Sequence, residues 1–440
     1  MLSYLKENLQ LFVILIVWLI TGIYGGPVIF GLVPLTMLLM DRKEMYEELL
    51  VGYLFVLILA DSASPALLFA KNLKNIYISI LALIFFLRYR ELYARNSLFK
   101  LFLPFLVFSV ITMSFAISDS YFFTSIQKTI SYALTFLVLP NIIETLFSKY
   151  HADFIKRLIF FAVVFLIIGY LLKYIMPDVA VLTGTRFRGV FGGPNGLGIF
   201  CVLLFIIFFI VDHFYNSLFT RNERLLIYLF IFLSVIGSGS RNALIAIAIF
   251  YSFQQFFGMS PFLGFLIFIV VLFVSEIISS NAVAIINALG LGSYFRVQTL
   301  EEGSGRLIAW GFAWTQIQQN FFVGRGFAYN EFYMRQHYGM LLKLNHQGGI
   351  HNSFLTFWFD QGLMGLLIYL RSYILLFIKA SKRTKFAFPA MFAISFTAFF
   401  ESWLVGSLSA FAFMGIFIFT ILTSDEIIPQ ETEVIPAIAE

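Results

Sequence analysis

The chain has 440 residues, of which 60% are hydrophobic, 19% aromatic and only 12% charged, with a mean hydropathy of +0.91. Soluble globular chains are roughly 45–50% apolar and about 25% charged, so a soluble enzyme is excluded, and so is an intrinsically disordered chain. Lys plus Arg is 29 against 24 Asp plus Glu, a net charge of +5 that a membrane protein carries as a topological bias and not as a nucleic-acid footprint.

The first ten residues are too polar for a cleavable signal peptide, so the apolar run from Leu11 reads as the first span. Apolar runs with polar breaks fall at residues 9–24, 27–40, 50–69, 75–87, 99–117, 121–140, 157–176, 196–213, 225–237, 242–257, 261–280, 352–378, 386–404 and 405–422. A helical span needs about 20 apolar residues, and several of these runs are short. The expected fold is therefore all-α, a polytopic transmembrane helical protein of 12–14 spans. The runs are continuous and do not alternate with period two, which argues against a barrel.

The predicted organisation has five parts: N-terminal spans over 1–150, spans carrying arginine motifs over 151–280, a large loop over 281–350, C-terminal spans over 351–423 and an acidic, disordered tail over 424–440. Alternate short loops hold most of the Lys and Arg, including Arg42, Lys43, Arg88, Arg90, Arg95, Lys149, Arg157, Arg221, Arg224 and Arg383, and these are assigned to the cytoplasm. Both termini then fall on that side, and the 281–350 loop falls outside. Within the loop, Leu307, Trp310, Trp314 and Ile317 recur at spacings of 3, 4 and 3, the pattern of an amphipathic helix lying on the membrane or capping a cavity, with Ser304 at the N-cap position. The single cysteine, Cys201, lies in an apolar run, so no internal disulfide forms.

The outer loops carry cations against the bias, in four segments that each open a helix. These are Arg186-Phe-Arg188-Gly-Val-Phe-Gly192-Gly193-Pro194-Asn195, then Gly237-Ser-Gly-Ser240-Arg241-Asn242, then Gly303-Ser-Gly-Arg306, then His351-Asn352-Ser353. A helix N-terminus presents unpaired N–H groups and a partial positive charge, which is an anion site in concept. Arginine adds a fork that matches phosphate oxygens. Singly, each arginine is accounted for by snorkelling or topology and the Gly192-Gly193-Pro194 stretch by a tight turn. Together they predict a shared diphosphate site built from Arg186, Arg188, Arg241 and Arg306, supported by Asn195, Ser240 and Asn352, without a metal.

His351 borders the loop and a helix start, where a neutral imidazole suits a general base. His346, in a more flexible stretch, is the weaker candidate. Asp61, Asp360 and Glu401 are acids inside apolar runs, costly there, and each is expected to pair with an arginine. No HExxH, Walker A, GxGxxG or Asp-x-Asp motif is present.

The ordered motifs resemble the bacterial O-antigen ligase/polymerase superfamily: Arg-Phe-Arg-Gly-Val-Phe-Gly-Gly-Pro-Asn, Gly-Ser-Arg-Asn, Ser-Gly-Arg-Leu-Ile-Ala-Trp, Gly324-Arg325-Gly326-Phe327, and His-Asn-Ser-Phe-Leu with Gly362 and Gly365 downstream. The resemblance covers roughly residues 155–380. It departs at Gly193, where many members have Asn, and it leaves open which of Arg186 and Arg188 binds phosphate. The resemblance implies a C-type-like membrane glycosyltransferase of the bacterial inner membrane, with its active site facing the periplasm. The implied donor is a glycan on undecaprenyl diphosphate, and the acceptor is a lipid A-core sugar, a growing polysaccharide or, in some members, a protein. It further implies an inverting transfer with His351 as base, no cofactor, no nucleic acid, contact with membrane lipids and contact with other polysaccharide-assembly proteins. The alternative readings are a lipid-linked glycan flippase or other polytopic transporter, which predicts charges inside a central cavity and pseudo-symmetric halves, and a non-catalytic assembly scaffold, which has no need of the Arg and His set.

Overall fold

A computed structural model describes residues 2–88, 97–117, 119–182, 185–256, 266–267, 269–270, 306–343 and 349–428. The described residues are helical nearly throughout. In order, the helices are α1 (Leu2–Glu7), α2 (Leu9–Tyr24), α3 (Ile29–Arg42), α4 (Tyr46–Asp61), α5 (Phe69–Arg88), α6 (Ser97–Met113), α7 (Phe122–Tyr150), α8 (Ala152–Ile175), α9 (Pro177–Ala180), α10 (Pro194–Phe214), α11 (Arg221–Ser238) and α12 (Arg241–Phe256). After the segment that is not described come α13 (Arg306–Gln319), α14 (Tyr329–Gln336), α15 (Tyr338–Lys343), α16 (Ser353–Ser381), α17 (Ala387–Phe400) and α18 (Ala410–Thr423). Among the described residues, six helices are long and apolar enough to cross a membrane, and α2, α17 and α18 are shorter apolar ones. This is the expected all-α polytopic membrane architecture. Hydrocarbon offers backbone groups no partner, so apolar runs satisfy them internally as helices.

Where helix ends differ from the apolar runs, charge explains the shift. α4 starts at Tyr46, four residues ahead of its apolar run, because Glu47 in its first turn is clamped by Arg157 at 2.5 and 2.8 Å. It ends at Asp61, where Ser62 turns to an extended backbone, and a 3-10 turn at Pro65–Leu67 leads into α5. α11 opens on a reciprocal capping box between Thr220 and Glu223. α17 stops at Phe400, so Glu401 stands in extended backbone outside the helix and not within a span. The strap from Glu401 to Ser409, with one 3-10 turn at Trp403–Val405, separates α17 from α18.

One departure from helix is a two-stranded antiparallel hairpin, β1 (Val181–Leu182) with β2 (Arg186–Phe187), pairing Leu182 with Arg186. α10 is the most enclosed of the six long apolar helices, with Cys201 fully buried on it. Aromatic rings knit the bundle: Phe105 meets Tyr132, Phe327, Phe357 and Tyr369 at centroid distances of 5.2–5.9 Å. A second, smaller apolar cluster joins α13, α14 and the outer part of α16 through Ala313, Ile317, Tyr329, Met334 and Phe359. The expected amphipathic helix is thus α13, with Ile317 inward and Trp310 bonded through Nε1 to the Ile350 carbonyl at 2.9 Å.

Residues 424–428, placed by the sequence in a disordered tail, are anchored: Ile427 and Ile428 are buried, and their carbonyls accept from Tyr215 and Arg383. Apart from residues 266, 267, 269 and 270, the span at 261–280 lies outside the described residues, as do the Ser304 cap, His346, residues 281–305 of the large loop and the tail beyond 428.

Candidate active site

The hairpin delivers Arg186. Its Nε donates to the Ser238 carbonyl at 2.9 Å, and Nη2 donates to Asn195 Oδ1 at 2.7 Å. The Ser238 carbonyl is available because α11 ends there on Gly239 in the left-handed region, φ +59°, where a residue with a Cβ is strained. Arg188, two residues on, turns away: the chain bends at Gly189, φ +57°, and the guanidinium donates to the Val179 and Asp178 carbonyls at 2.9 and 3.0 Å. Its role is to close the hairpin onto α9.

Asn195 is delivered by the start of α10, with Pro194 at the first helical position. The preceding turn is held by Asp61, which accepts the Gly192 N–H at 3.0 Å. A Cβ on Gly192 would lie 2.3 Å from the Asp61 carbonyl oxygen. Asp61 therefore pairs with a backbone N–H and not with an arginine, contrary to expectation; the glycine brings the amide within reach. Ser240, the third supporting candidate, is buried against Gly198 of α10, where it sets the spacing between α10 and α12.

Asn195 passes the link on: its Nδ2 donates to Glu401 Oε1 at 2.7 Å. Arg306, the first residue of α13, reaches the same oxygen at 3.3 Å, and its guanidinium lies over the Phe400 ring. The second oxygen, Oε2, is 3.0 Å from His351 Nδ1. Glu401 thus ties three separated segments to its own strap. Burial pushes its carboxyl up, but the hydrogen bond and charge of His351, then the charge of Arg306 and the Asn195 bond, outweigh burial and hold it below the usual carboxylate value.

His351 has a backbone in the left-handed region, φ +51°, a strained setting found preferentially at functional positions. Asn352 caps α16 by accepting the Leu355 N–H at 2.9 Å, and its own N–H donates to Ser402 Oγ at 3.0 Å. Ser353 Oγ donates to the Glu401 carbonyl at 2.7 Å. The last two bonds lock the helix start to the strap.

The placement of this start depends on a break within α16. Gly362 has φ +70° and ψ 177°, and the freed N–H groups of Leu363 and Met364 donate to the Phe321 and Phe322 carbonyls at 2.9 and 3.1 Å. Asp360, just before the break, accepts from Asn330 N–H and Asn330 Nδ2, both at 2.7 Å, and from Ala328 N–H at 3.3 Å. Here too an expected arginine pairing is replaced by backbone and amide donors, at the N-terminus of α14. Gly324 permits the approach, since a Cβ there would sit 2.2 Å from the Asp360 carbonyl oxygen.

A cavity of about 340 Å³ opens at this point, lined by Gly196, Ile199, Gly349, His351, Glu401, Ser402, Trp403, Gly406, Ser409 and Phe411. That volume falls in the range of ligand pockets, about 300–1,000 Å³. The His351 side chain is 39% exposed and Glu401 15%, so the imidazole is reachable while its partner is shielded. Arg241, the first residue of α12, has no hydrogen-bond or ion-pair partner among the described residues and feels the like charge of Arg306. Two guanidiniums thus feel one another's charge, an arrangement that favours an anion between them.

Of the predicted site residues, the fold joins Arg186, Asn195, Arg306, His351 and Asn352 through one hydrogen-bonded network and sets Arg241 beside it; Arg188 and Ser240 support the frame. The sequence did not point to Glu401 as the hub. Its only signal was the cost of an acid in an apolar run.

The class is therefore a multi-pass helical membrane protein with a cavity lined by His351 and Glu401, whose carboxylate is bonded to Arg306. Residues 226–370 match the family model described as O-antigen ligase, which supports the O-antigen ligase/polymerase superfamily that the motifs resemble. Arg241, Arg306 and His351 lie within the matched stretch, while Arg186, Asn195 and Glu401 lie outside it and join it only in space. No curated protein matches the chain.

Proposed function

We propose that the chain transfers a glycan from a polyprenyl diphosphate, undecaprenyl diphosphate in the bacterial inner membrane, to an acceptor hydroxyl at the periplasmic face. An O-antigen ligase/polymerase-type function follows from the family match; the donor, the residue roles and the side of the membrane are the proposal. The observation that carries it is the single network running from Arg186 through Asn195 and Glu401 to Arg306 and His351 beside one cavity.

Glu401 takes the Nδ1–H of His351, which fixes the tautomer and leaves Nε2 as the basic nitrogen. Gly349 lies beside it, the position of a Cβ there being 3.5 Å from Nε2. The acceptor hydroxyl gives its proton to Nε2 as its oxygen bonds to the anomeric carbon. The bond from that carbon to the diphosphate oxygen breaks in the same displacement, and the configuration inverts. Arg241 and Arg306, with Arg186 behind them, stabilise the charge that develops on the leaving diphosphate. The acceptor is a lipid A-core sugar in a ligase and a lipid-linked repeat in a polymerase.

The test is His351→Ala in purified protein supplied with lipid-linked glycan and acceptor. Transfer falls to background while thermal stability is kept. Full transfer by this variant sinks the base assignment.

A further inference from the structure

The Gly324-Arg325-Gly326-Phe327 motif has no part in the transfer scheme. Its chain turns back into the bundle. Gly326 has φ +91° and donates its N–H to the Asp360 carbonyl at 2.8 Å, and Phe327 follows as a buried ring. The Arg325 guanidinium stays at the surface, over the Tyr329 ring. What the motif delivers to the interior is therefore an aromatic side chain. Phe327 lies 5.2 Å from Tyr132 of α7 between ring centroids, with Phe105 and Phe136 at 5.9 and 5.2 Å from the same tyrosine. A ring packed on several sides keeps one rotamer, so the Tyr132 hydroxyl has a fixed aim.

That hydroxyl donates to the Leu404 carbonyl at 3.1 Å, three residues beyond Glu401 in the strap. The Leu404 N–H donates to Ser353 Oγ at 3.2 Å, and Ser353 Oγ donates to the Glu401 carbonyl at 2.7 Å. Glu401 Oε2 then meets His351 Nδ1 at 3.0 Å. A line of hydrogen bonds thus runs from α7 to the imidazole. Glu401 needs it because it stands outside α17 in extended backbone, where its carbonyl takes the Ser353 hydroxyl in place of a helical N–H. The neighbouring ties do not do the same work. Ser402 is bonded to Asn352 and Thr356 at the start of α16, which moves with His351, and Trp403 to Thr397 of α17. Ser131, Thr135 and Lys74 hold the far half of the strap, at Ser407 and Leu408. The Tyr132 bond references the near half to α7. Tyr369 of α16 is the other polar group against this hydroxyl.

We propose that Tyr132 is a positioning residue of the site, setting Glu401 through Leu404 and Ser353, and that Phe327 is the buttress that holds its ring. A working pair is kept in productive geometry by groups whose own rotamers are locked by packing and hydrogen bonds, and Tyr132 meets both conditions without touching the cavity's histidine or carboxylate. This rests on the reading of His351 and Glu401 as the pair that serves glycan transfer. The placement of the imidazole proton can be read without any transfer.

The experiment is nitrogen NMR of the full chain in nanodiscs, labelled at histidine and recorded where the imidazole is neutral, with the His351 signals identified by their loss in His351→Ala. The wild type, Ser131→Ala and Tyr369→Phe hold the ring proton on Nδ1. Tyr132→Phe, which keeps the packed ring and removes only the hydroxyl, shows a mixture with the Nε2–H form, and so does Phe327→Leu. In transfer assays Tyr132→Phe loses about tenfold or more in kcat with KM unchanged, since small misplacements of a catalytic group are costly. A single Nδ1–H form in Tyr132→Phe overturns the proposal, as does a mixture in the wild type, in Ser131→Ala or in Tyr369→Phe. A wild-type spectrum in Phe327→Leu overturns the buttress. A mixture in Tyr132→Phe with undiminished transfer upholds the positioning and sinks the base role of His351, so the two readings fail separately.

Discussion

Glu401 and His351 meet through one oxygen and one ring nitrogen, Oε2 to Nδ1 at 3.0 Å, while the other carboxylate oxygen is occupied by Asn195 and Arg306. The carboxylate cannot rotate without breaking all three contacts, so the imidazole is aimed by a group that is itself pinned. Glu401→Gln keeps the shape but offers an N–H to Nδ1, which moves the ring proton to Nε2 and removes the base. We expect kcat to fall by at least about 10²-fold with little change in KM, as for loss of a tautomer-fixing carboxylate. A variant with kcat near wild type removes Glu401 from the mechanism.

The same carboxyl has a pH signature. Its folded value is depressed below the ordinary 4.5 that the unfolded chain retains. Its stabilisation is therefore complete above that value and is lost as pH falls through the lower folded one. Thermal unfolding scanned over about pH 3–7 is expected to show an acid-side drop for the wild type that is shallower in Glu401→Gln. Parallel curves for the two proteins contradict this.

Arg241 and Arg186 separate ligand binding from architecture. Arg241 has no hydrogen-bond or ion-pair partner among the described residues, so Arg241→Gln is expected to lower transfer by about 10²-fold or more, the scale of removing one charge-stabilising donor, with an unchanged Tm. Arg186 bridges Ser238 and Asn195, so Arg186→Gln is expected to lower both transfer and Tm. If Arg241→Gln also unfolds early, its role is structural.

Gly362 is where α16 breaks. A Cβ there would be 2.5 Å from both the Gly324 nitrogen and the Phe322 carbonyl oxygen, in a backbone with φ +70°. Gly362→Ala is expected to cost about 1–3 kcal/mol, the scale of a strained backbone residue, and to reduce transfer by displacing His351 nine residues upstream of the Asp360 hub. Wild-type transfer in this variant separates the break from the site.

The helices were legible because continuous apolar runs leave few alternatives. Their ends were less so, since pairs such as Glu47 with Arg157 extend a helix past its apolar run and are visible only in space. Arg186, Arg241, Arg306 and His351 stood out as charges on the wrong face, each at a helix start. Arg186 and Arg188 were indistinguishable by spacing; the Gly189 bend sends one to the network and the other to the carbonyls of α9. Asp61 and Asp360 misled for a single reason. An acid in an apolar run suggests a cation, yet glycines at 192 and 324 let backbone approach closely enough for N–H groups to satisfy them. Glu401 shares their chemistry and differs only in its neighbours, which sequence order hides.

Those neighbours also set a timetable. Arg186, Asn195, Arg306 and His351 are all synthesised before Glu401, and chains emerge N-terminus first. Until α17 is inserted and its following strap is in place, the cations face one another with no shared counter-charge, and the imidazole has no fixed tautomer. During biogenesis the pocket therefore lacks its organising carboxylate until the bundle is nearly complete, and a nascent chain stalled before α17 carries the arginine and histidine motifs without the arrangement that would let them act together.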